Sequence, residues 1–283
     1  VDQAGYKIDG DYTILRGGTV QWFRLPTGAW RDRLERFQAA GFNTIDMYIA
    51  WNQIEKTEGV FDFANPNITD FLELCKEMGI YVYFRPGPYI TNEMDGGGVP
   101  GWLMDKTTKK SIAADGKVNL RTEDPDYLAY VDRYFGELND VIKPYLASNG
   151  GPIILYSVEN EYNWVEIFHE ADKLFWFEGG TERNLNAFLP TRNYFTALRD
   201  MVLNDGIDVP ITTCPGDGKA SATGDVADII PMPNIYGSTE PEKVAFDLLN
   251  DMHNPAKHGG EYVNFASATT ETDREPVRIK RLY

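Results

Sequence analysis

Apolar and polar positions along this chain alternate between two periods, and the alternation repeats. Short runs rich in β-branched and aromatic residues predict strands over 19–24, 43–49, 80–85, 152–158, 209–214, 227–236 and 262–270. Between them, apolar residues recur three and four positions apart, which predicts helices over 30–40, 67–78 and about 125–146. Gly41 and Gly79 follow the first two helices, where a residue tolerant of a left-handed backbone ends a helix at least cost. The apolar run through Ile153, Ile154 and Leu155 suits a strand covered on both faces. A last helix is expected over about 276–283.

Strand–helix alternation of this kind is the mark of parallel α/β architecture. No Gly-rich phosphate fingerprint follows any of the strands, which favours a (β/α)8 barrel over a doubly wound open sheet. The length of 283 residues fits one such barrel, typically about 250 residues. Seven units are countable where a closed barrel needs eight, so the sequence is expected to stop before the eighth strand. No low-complexity linker divides it. The expected organisation is a single α/β barrel domain over 1–283, incomplete at its C-terminal end, with no second domain visible.

Composition narrows the partners. A hydrophobic share of 42% with 13% aromatics is ample for a core. The net charge of −16 argues against nucleic acid and anionic membranes, both of which present negative phosphates. No apolar run reaches the roughly 18 residues needed to span a bilayer. Cys75 lies in an apolar helical stretch and Cys214 ends a strand; both read as buried small hydrophobes rather than a bridge. Asn67-Ile68-Thr69 is a glycosylation sequon, of use only in a secreted protein. An extracytoplasmic location is the expectation, although no signal peptide is visible.

In such barrels the chemistry sits at the C-terminal ends of the strands. Those ends carry Arg24, then Tyr48 with Trp51 and Glu55, and Arg85 with Tyr89 and Glu93. Further along come Glu159-Asn160-Glu161-Tyr162, Tyr236 and Glu271. Carboxylates and aromatics dominate, a set suited to sugar: carboxylates and Asn bond hydroxyls, while aromatic rings cover the apolar side of a pyranose. Glycosidic cleavage needs two carboxyl groups flanking the bond, and Glu161 and Glu271 sit on different strands as that requires. A lone strand-end glutamate is more often a helix cap, and a lone Tyr or Trp is more often core. Glu159 and Glu161 share one side of an ideal strand unless a bulge intervenes, and would then repel one another. His169, His253 and His258 lack metal-ligand spacing, no nucleophile elbow is present, and neither metal nor cofactor is expected.

At these residues the chain resembles glycoside hydrolase family 35, the β-galactosidases of the large barrel clan. The resemblance is carried by Gln21-Trp22-Phe23-Arg24, by Gly41 to Thr44 with Tyr48 to Asn52 and Glu55, and by Arg85-Pro86-Gly87-Pro88-Tyr89-Ile90. It continues through Glu93, Gly96 to Trp102, and Gly150 to Ile154 leading into Glu159-Asn160-Glu161-Tyr162. It implies Glu161 as acid/base, Asn160 near the sugar 2-hydroxyl, and Tyr48, Ile90, Asn92, Glu93 and Tyr236 around a galactose. Thr91-Asn92-Glu93 departs from the family's Ala-containing triplet, so the Asn contact is shifted by one residue or lost. For the nucleophile, Glu271 in Thr269-Thr270-Glu271 is preferred and Glu261 in Gly259-Gly260-Glu261 is the rival. About 40 residues separate Asn163 from Gly206, an insert carrying Trp164, Phe168, Phe175, Trp176, Phe177 and Phe188; Trp164 is a candidate lining for the leaving sugar. The expected function is a retaining exo-β-galactosidase acting on a carbohydrate substrate. An exo-β-glucosaminidase, another retaining barrel glycosidase and an inactive carbohydrate-binding barrel stay open, as do linkage and oligomeric state.

Overall fold

The computed structural model describes residues 6–65, 67–106, 120–162, 189–214 and 226–232. It opens with a two-stranded antiparallel hairpin, β1 (Tyr6–Ile8) and β2 (Asp11–Thr13). Asp9 and Gly10 turn it, both at positive φ (53° and 91°), the conformation for which an Asp-Gly pair is suited. Among the described residues six further strands follow: β3 (Gly17–Thr19), β4 (Thr44–Tyr48), β5 (Tyr81–Gly87), β6 (Ile153–Val158), β7 (Ile211–Thr213) and β8 (Ile229–Pro231). They hydrogen-bond in the order in which they occur, and every adjacent pair is parallel. Among the described strands none is skipped and the order does not reverse. This is the winding of a (β/α) barrel, not of a doubly wound sheet.

The helices between the strands form because each offers one apolar stripe to that sheet. Helix α1 (Trp30–Ala39) buries Trp30 and Leu34, one turn apart. In α2 (Ile68–Glu77), Ile68, Phe71, Leu72 and Cys75 are buried at spacings of three and four, behind the cap that the Asn67 side chain makes on the Asp70 N–H. Helix α3 (Pro125–Ile142) is capped by Asp124, which accepts from the Asp126 and Tyr127 N–H groups, and has Pro at its first position. It ends at Ile142, short of the expected 146, because Pro144 offers no N–H to continue the ladder. Outward residues of the strands, among them Ile45, Met47, Phe84, Tyr156 and Val158, join these stripes in one core. On the other side Tyr83, Leu155 and Met232 pack with Tyr6 and Leu15 from the N-terminal segment. Among the described residues no helix is long and apolar enough to cross a membrane.

One expectation needs correcting, and two elements went unpredicted. The first barrel strand is Gly17–Thr19, and Trp22–Arg24 is a 3-10 turn rather than the end of a strand. Tertiary contacts override the local β pattern here: the Trp22 indole N–H donates to the Tyr48 carbonyl at 2.9 Å, and its ring stacks on Phe71 at 5.4 Å. The hairpin ahead of it was not anticipated. Nor was helix α4 (Leu189–Asn204), which occupies the end of the segment read as an insert. Tyr194, Phe195, Leu198 and Val202 bury one face of it. The expected seventh strand over 262–270, the helix over 276–283 and the six aromatics of the insert lie outside the described residues.

Candidate active site

The inward positions of β4 and β5 meet at Arg85, whose side chain is buried. Its guanidinium lies 4.4 Å from the Tyr48 ring centre, 3.6 Å from an Asp46 carboxylate oxygen, and donates to the Asn160 side-chain oxygen at 2.6 Å. Arginine stays charged at any ordinary pH, so Asn160 is held by a charge-assisted bond. Its amide nitrogen donates in turn to the Thr91 hydroxyl at 2.9 Å. Arg85 thereby ties the ends of β4, β5 and β6 into one mouth. Cys214, just past β7, is also buried against it. Burial pushes the Cys214 thiol up to about 12, leaving it a neutral packing group.

Beyond β6 the strand geometry breaks. Glu159 and Glu161 both have positive φ (63° and 47°), so the period-two relation expected between them does not apply. Left-handed backbone costs a non-glycine residue roughly 1–2 kcal/mol and persists only where neighbours hold it. The Glu159 N–H donates to the Gly87 carbonyl at 2.9 Å, and the Glu161 N–H to the Cys214 carbonyl at 2.6 Å. The Glu159 side chain is buried in an ion pair with Arg121, whose Nε and Nη2 donate to its carboxylate at 3.1 and 2.6 Å. Tyr194 of α4 donates to the other carboxylate oxygen at 2.6 Å. Burial, reinforced by the Glu159 charge, raises the Tyr194 phenol well above its ordinary pKa, so it keeps the proton it donates. Burial alone would lower the Arg121 pKa, but the charge and hydrogen bonds of Glu159, with smaller help from Tyr89 and Tyr194, together raise it.

The loop after β5 carries a second left-handed turn, at Thr91, Asn92 and Glu93 (φ 54°, 46° and 46°). Asn92 is buried, and its side-chain amide exchanges two hydrogen bonds with Gln21, at 2.6 and 2.9 Å. Arg24 donates to the Asn92 carbonyl at 2.7 Å. Gly97 closes the turn by accepting from the Ile90 N–H at 2.9 Å; it too has positive φ, and a Cβ there would collide with the Tyr89 ring.

Five of the site residues inferred from sequence are thus brought to one end of the sheet. Tyr48 and Ile90 share a small buried cluster with Ala50. Asn160 and Asn92 flank Thr91 from two sides, and Glu161 retains 8% of its surface. Glu93 is exposed, and Arg24 reaches its backbone carbonyl at 3.4 Å. Tyr236, Trp164, Glu271 and the rival Glu261 lie outside the described residues. Glu55, also at a strand end, is buried in a different knot: its carboxylate accepts from the Trp51 indole N–H at 2.7 Å, the Gly59 N–H at 2.6 Å, and Arg133. Arg121 and Tyr194 escaped the sequence reading, and Gln21 entered it only as part of a motif with no site role, because their partners lie 38, 35 and 71 positions away. Only a chance of folding, not a local pattern, joins them.

Comparison with known proteins identifies the family. A family model described as "Glycosyl hydrolases family 35" matches residues 6–235. An exo-β-D-glucosaminidase of Thermococcus kodakarensis is 42% identical over 179 residues, 58% of this chain and 22% of that protein. A β-galactosidase of Bos taurus is 45% identical over 155 residues, 54% of this chain and 22% of that protein. A β-galactosidase-1-like protein 3 of Rattus norvegicus is 36% identical over 206 residues, 72% of this chain and 28% of that protein. The chain therefore spans between a fifth and a third of the length of these relatives. An exo-β-1,4-mannosidase from Opitutaceae bacterium strain TAV5 shares the fold, with a TM-score of 0.52 at 18% identity over 78% of this chain and 35% of that one. Since the family model extends from the N-terminal hairpin past β8, the chain belongs to glycosyl hydrolase family 35.

Proposed function

We propose that the chain supplies the catalytic barrel of a retaining exo-glycosidase that releases terminal β-D-galactose, with Glu161 as acid/base. The observation that carries this reading is the contrast between neighbours at the end of β6. Glu159, 2% exposed, is committed to Arg121 and Tyr194, whereas Glu161 at the mouth of the sheet is buried less completely, at 8%. In the proposed reaction the Glu271 carboxylate attacks the anomeric carbon while Glu161 gives its proton to the departing glycosidic oxygen. A covalent glycosyl-enzyme results. Glu161, now a carboxylate, takes a proton from water as that water attacks the same carbon and releases Glu271. Asn160 stands next to Glu161, oriented by Arg85, where a sugar hydroxyl would meet it. The reading expects the Glu161 and Glu271 carboxyl groups about 5 to 5.5 Å apart; a gap beyond roughly 6.5 Å would mean inversion. Trp164 would line the site of the leaving sugar.

A second reading, release of β-D-glucosamine, is favoured by the archaeal relative named exo-β-D-glucosaminidase. Nitrophenyl β-galactoside and nitrophenyl β-glucosaminide separate the two. Turnover of the first alone supports galactose, turnover of the second alone supports glucosamine, and turnover of neither sinks the glycosidase reading.

A further inference from the structure

We propose that Arg121 is a positioning residue for Glu161, beyond serving as the counter-ion of Glu159; the proposal rests on the reading of Glu161 as acid/base. The peptide bond between Asn160 and Glu161 decides where the Glu161 side chain leaves the backbone. That peptide is pinned at both ends. Its carbonyl, the Asn160 oxygen, accepts from Arg121 Nη2 at 2.9 Å, and its N–H donates to the Cys214 carbonyl at 2.6 Å. Were the Arg121 bond lost, the peptide could rotate about the N–H anchor, releasing the positive φ at Glu161 and swinging its carboxylate.

Arg121 is built for the task. Nη2 reaches the Glu159 carboxylate and the Asn160 carbonyl together, while Nε makes a second bond to the same carboxylate. Only a planar fork of donors can span such a set; an ammonium supplies the charge without the geometry. The fork is itself held flat, since its guanidinium lies 3.6 Å from the Tyr89 ring centre. The Arg121 carbonyl accepts from the Tyr162 hydroxyl at 2.8 Å, so the chain on the far side of Glu161 is tied to the same residue. One arginine thus touches the residues before and after Glu161.

The test is Arg121→Lys in the full-length protein, followed on a nitrophenyl glycoside and on the corresponding unactivated disaccharide. A counter-ion role predicts little change, because lysine can still neutralise Glu159. A positioning role predicts loss of kcat on the disaccharide on the order of a hundredfold, the scale of a 1 Å misplacement. The loss on the nitrophenyl substrate should be smaller, with KM and melting temperature little changed. Azide, which attacks the glycosyl-enzyme without a general base, should raise variant turnover of the nitrophenyl substrate and leave wild type unaffected. Equal losses on both substrates that follow the melting temperature would overturn the proposal. Should wild type hydrolyse no glycoside, the glycosidase reading fails on its own, and crystal structures of wild type and Arg121→Lys decide the positioning. A rotated 160–161 peptide with a displaced Glu161 carboxylate supports it; superimposable turns refute it.

Discussion

The turns after β4 and after β6 each present glutamates at the same end of the sheet, yet they do different work. After β4, Glu55 is wholly buried, and the Trp51 indole, the Gly59 amide and Arg133 take up its oxygens. After β6, Glu159 is treated likewise by Arg121 and Tyr194, while Glu161, two residues on, is buried less completely, at 8% against 2%. Position at a strand end therefore does not by itself mark a catalytic group, since Glu55 and Glu159 both stand there as partners in buried ion-pair networks. In the turn after β6 both Glu159 and Glu161 have left-handed backbone, with the ion pair of Glu159 beside it.

The contrast can be broken by substitution, beginning with the largest effect. Glu161→Gln should lower turnover of an unactivated disaccharide by roughly 10²–10⁴-fold, the worth of general acid–base help, and that of a nitrophenyl glycoside by less. Its melting temperature should stay near wild type. Equal losses on both substrates would remove Glu161 from the acid role. Glu55→Ala is expected to do the reverse, costing about 1–3 kcal/mol of stability by orphaning the buried Trp51 indole N–H and breaking the half-buried bonds to Gly59 and Arg133. Denaturant unfolding measures that, and a collapse of kcat in the folded variant would put Glu55 in the site. Gln21→Ala strips Asn92 of its amide partner and should cost about 1 kcal/mol, with KM rather than kcat responding as the turn at 91–93 loosens. Arg31→Ala breaks the exposed pair with Glu77, and thermal unfolding should not distinguish it from wild type.

How much of this was legible in the sequence depends on how far apart the partners lie. Helices α1 and α2 could be read closely because their stripes and terminators are local: Trp30 with Leu34, and Ile68 with Phe71, Leu72 and Cys75. The hairpin could have been read too, since Asp9-Gly10 between Tyr6–Ile8 and Asp11–Thr13 is a turn signal at short range. The residues at 22–24 misled, because an aromatic run has β propensity of its own while Trp22 is claimed by Tyr48 and Phe71 from other elements. Helix α4 was hidden inside a segment judged by its length and aromatic content rather than by its spacing.

Sequence alone determined the strand–helix alternation, the parallel winding it demands, and the cluster of carboxylates and aromatics at strand ends that includes Glu161. Those follow from periodicity and motif, which act over a few residues. Only the tertiary structure decided that Glu159 is the glutamate braced by Arg121 and Tyr194, and that Glu161 follows it on a pinned peptide. Arg121 and Tyr194 reach Glu159 across 38 and 35 positions, and the Asn160–Glu161 peptide is pinned between Arg121 and Cys214. A hydrogen bond is chosen by distance and direction in space, and nothing in the order of residues along a chain encodes those until the barrel has brought its strand ends together.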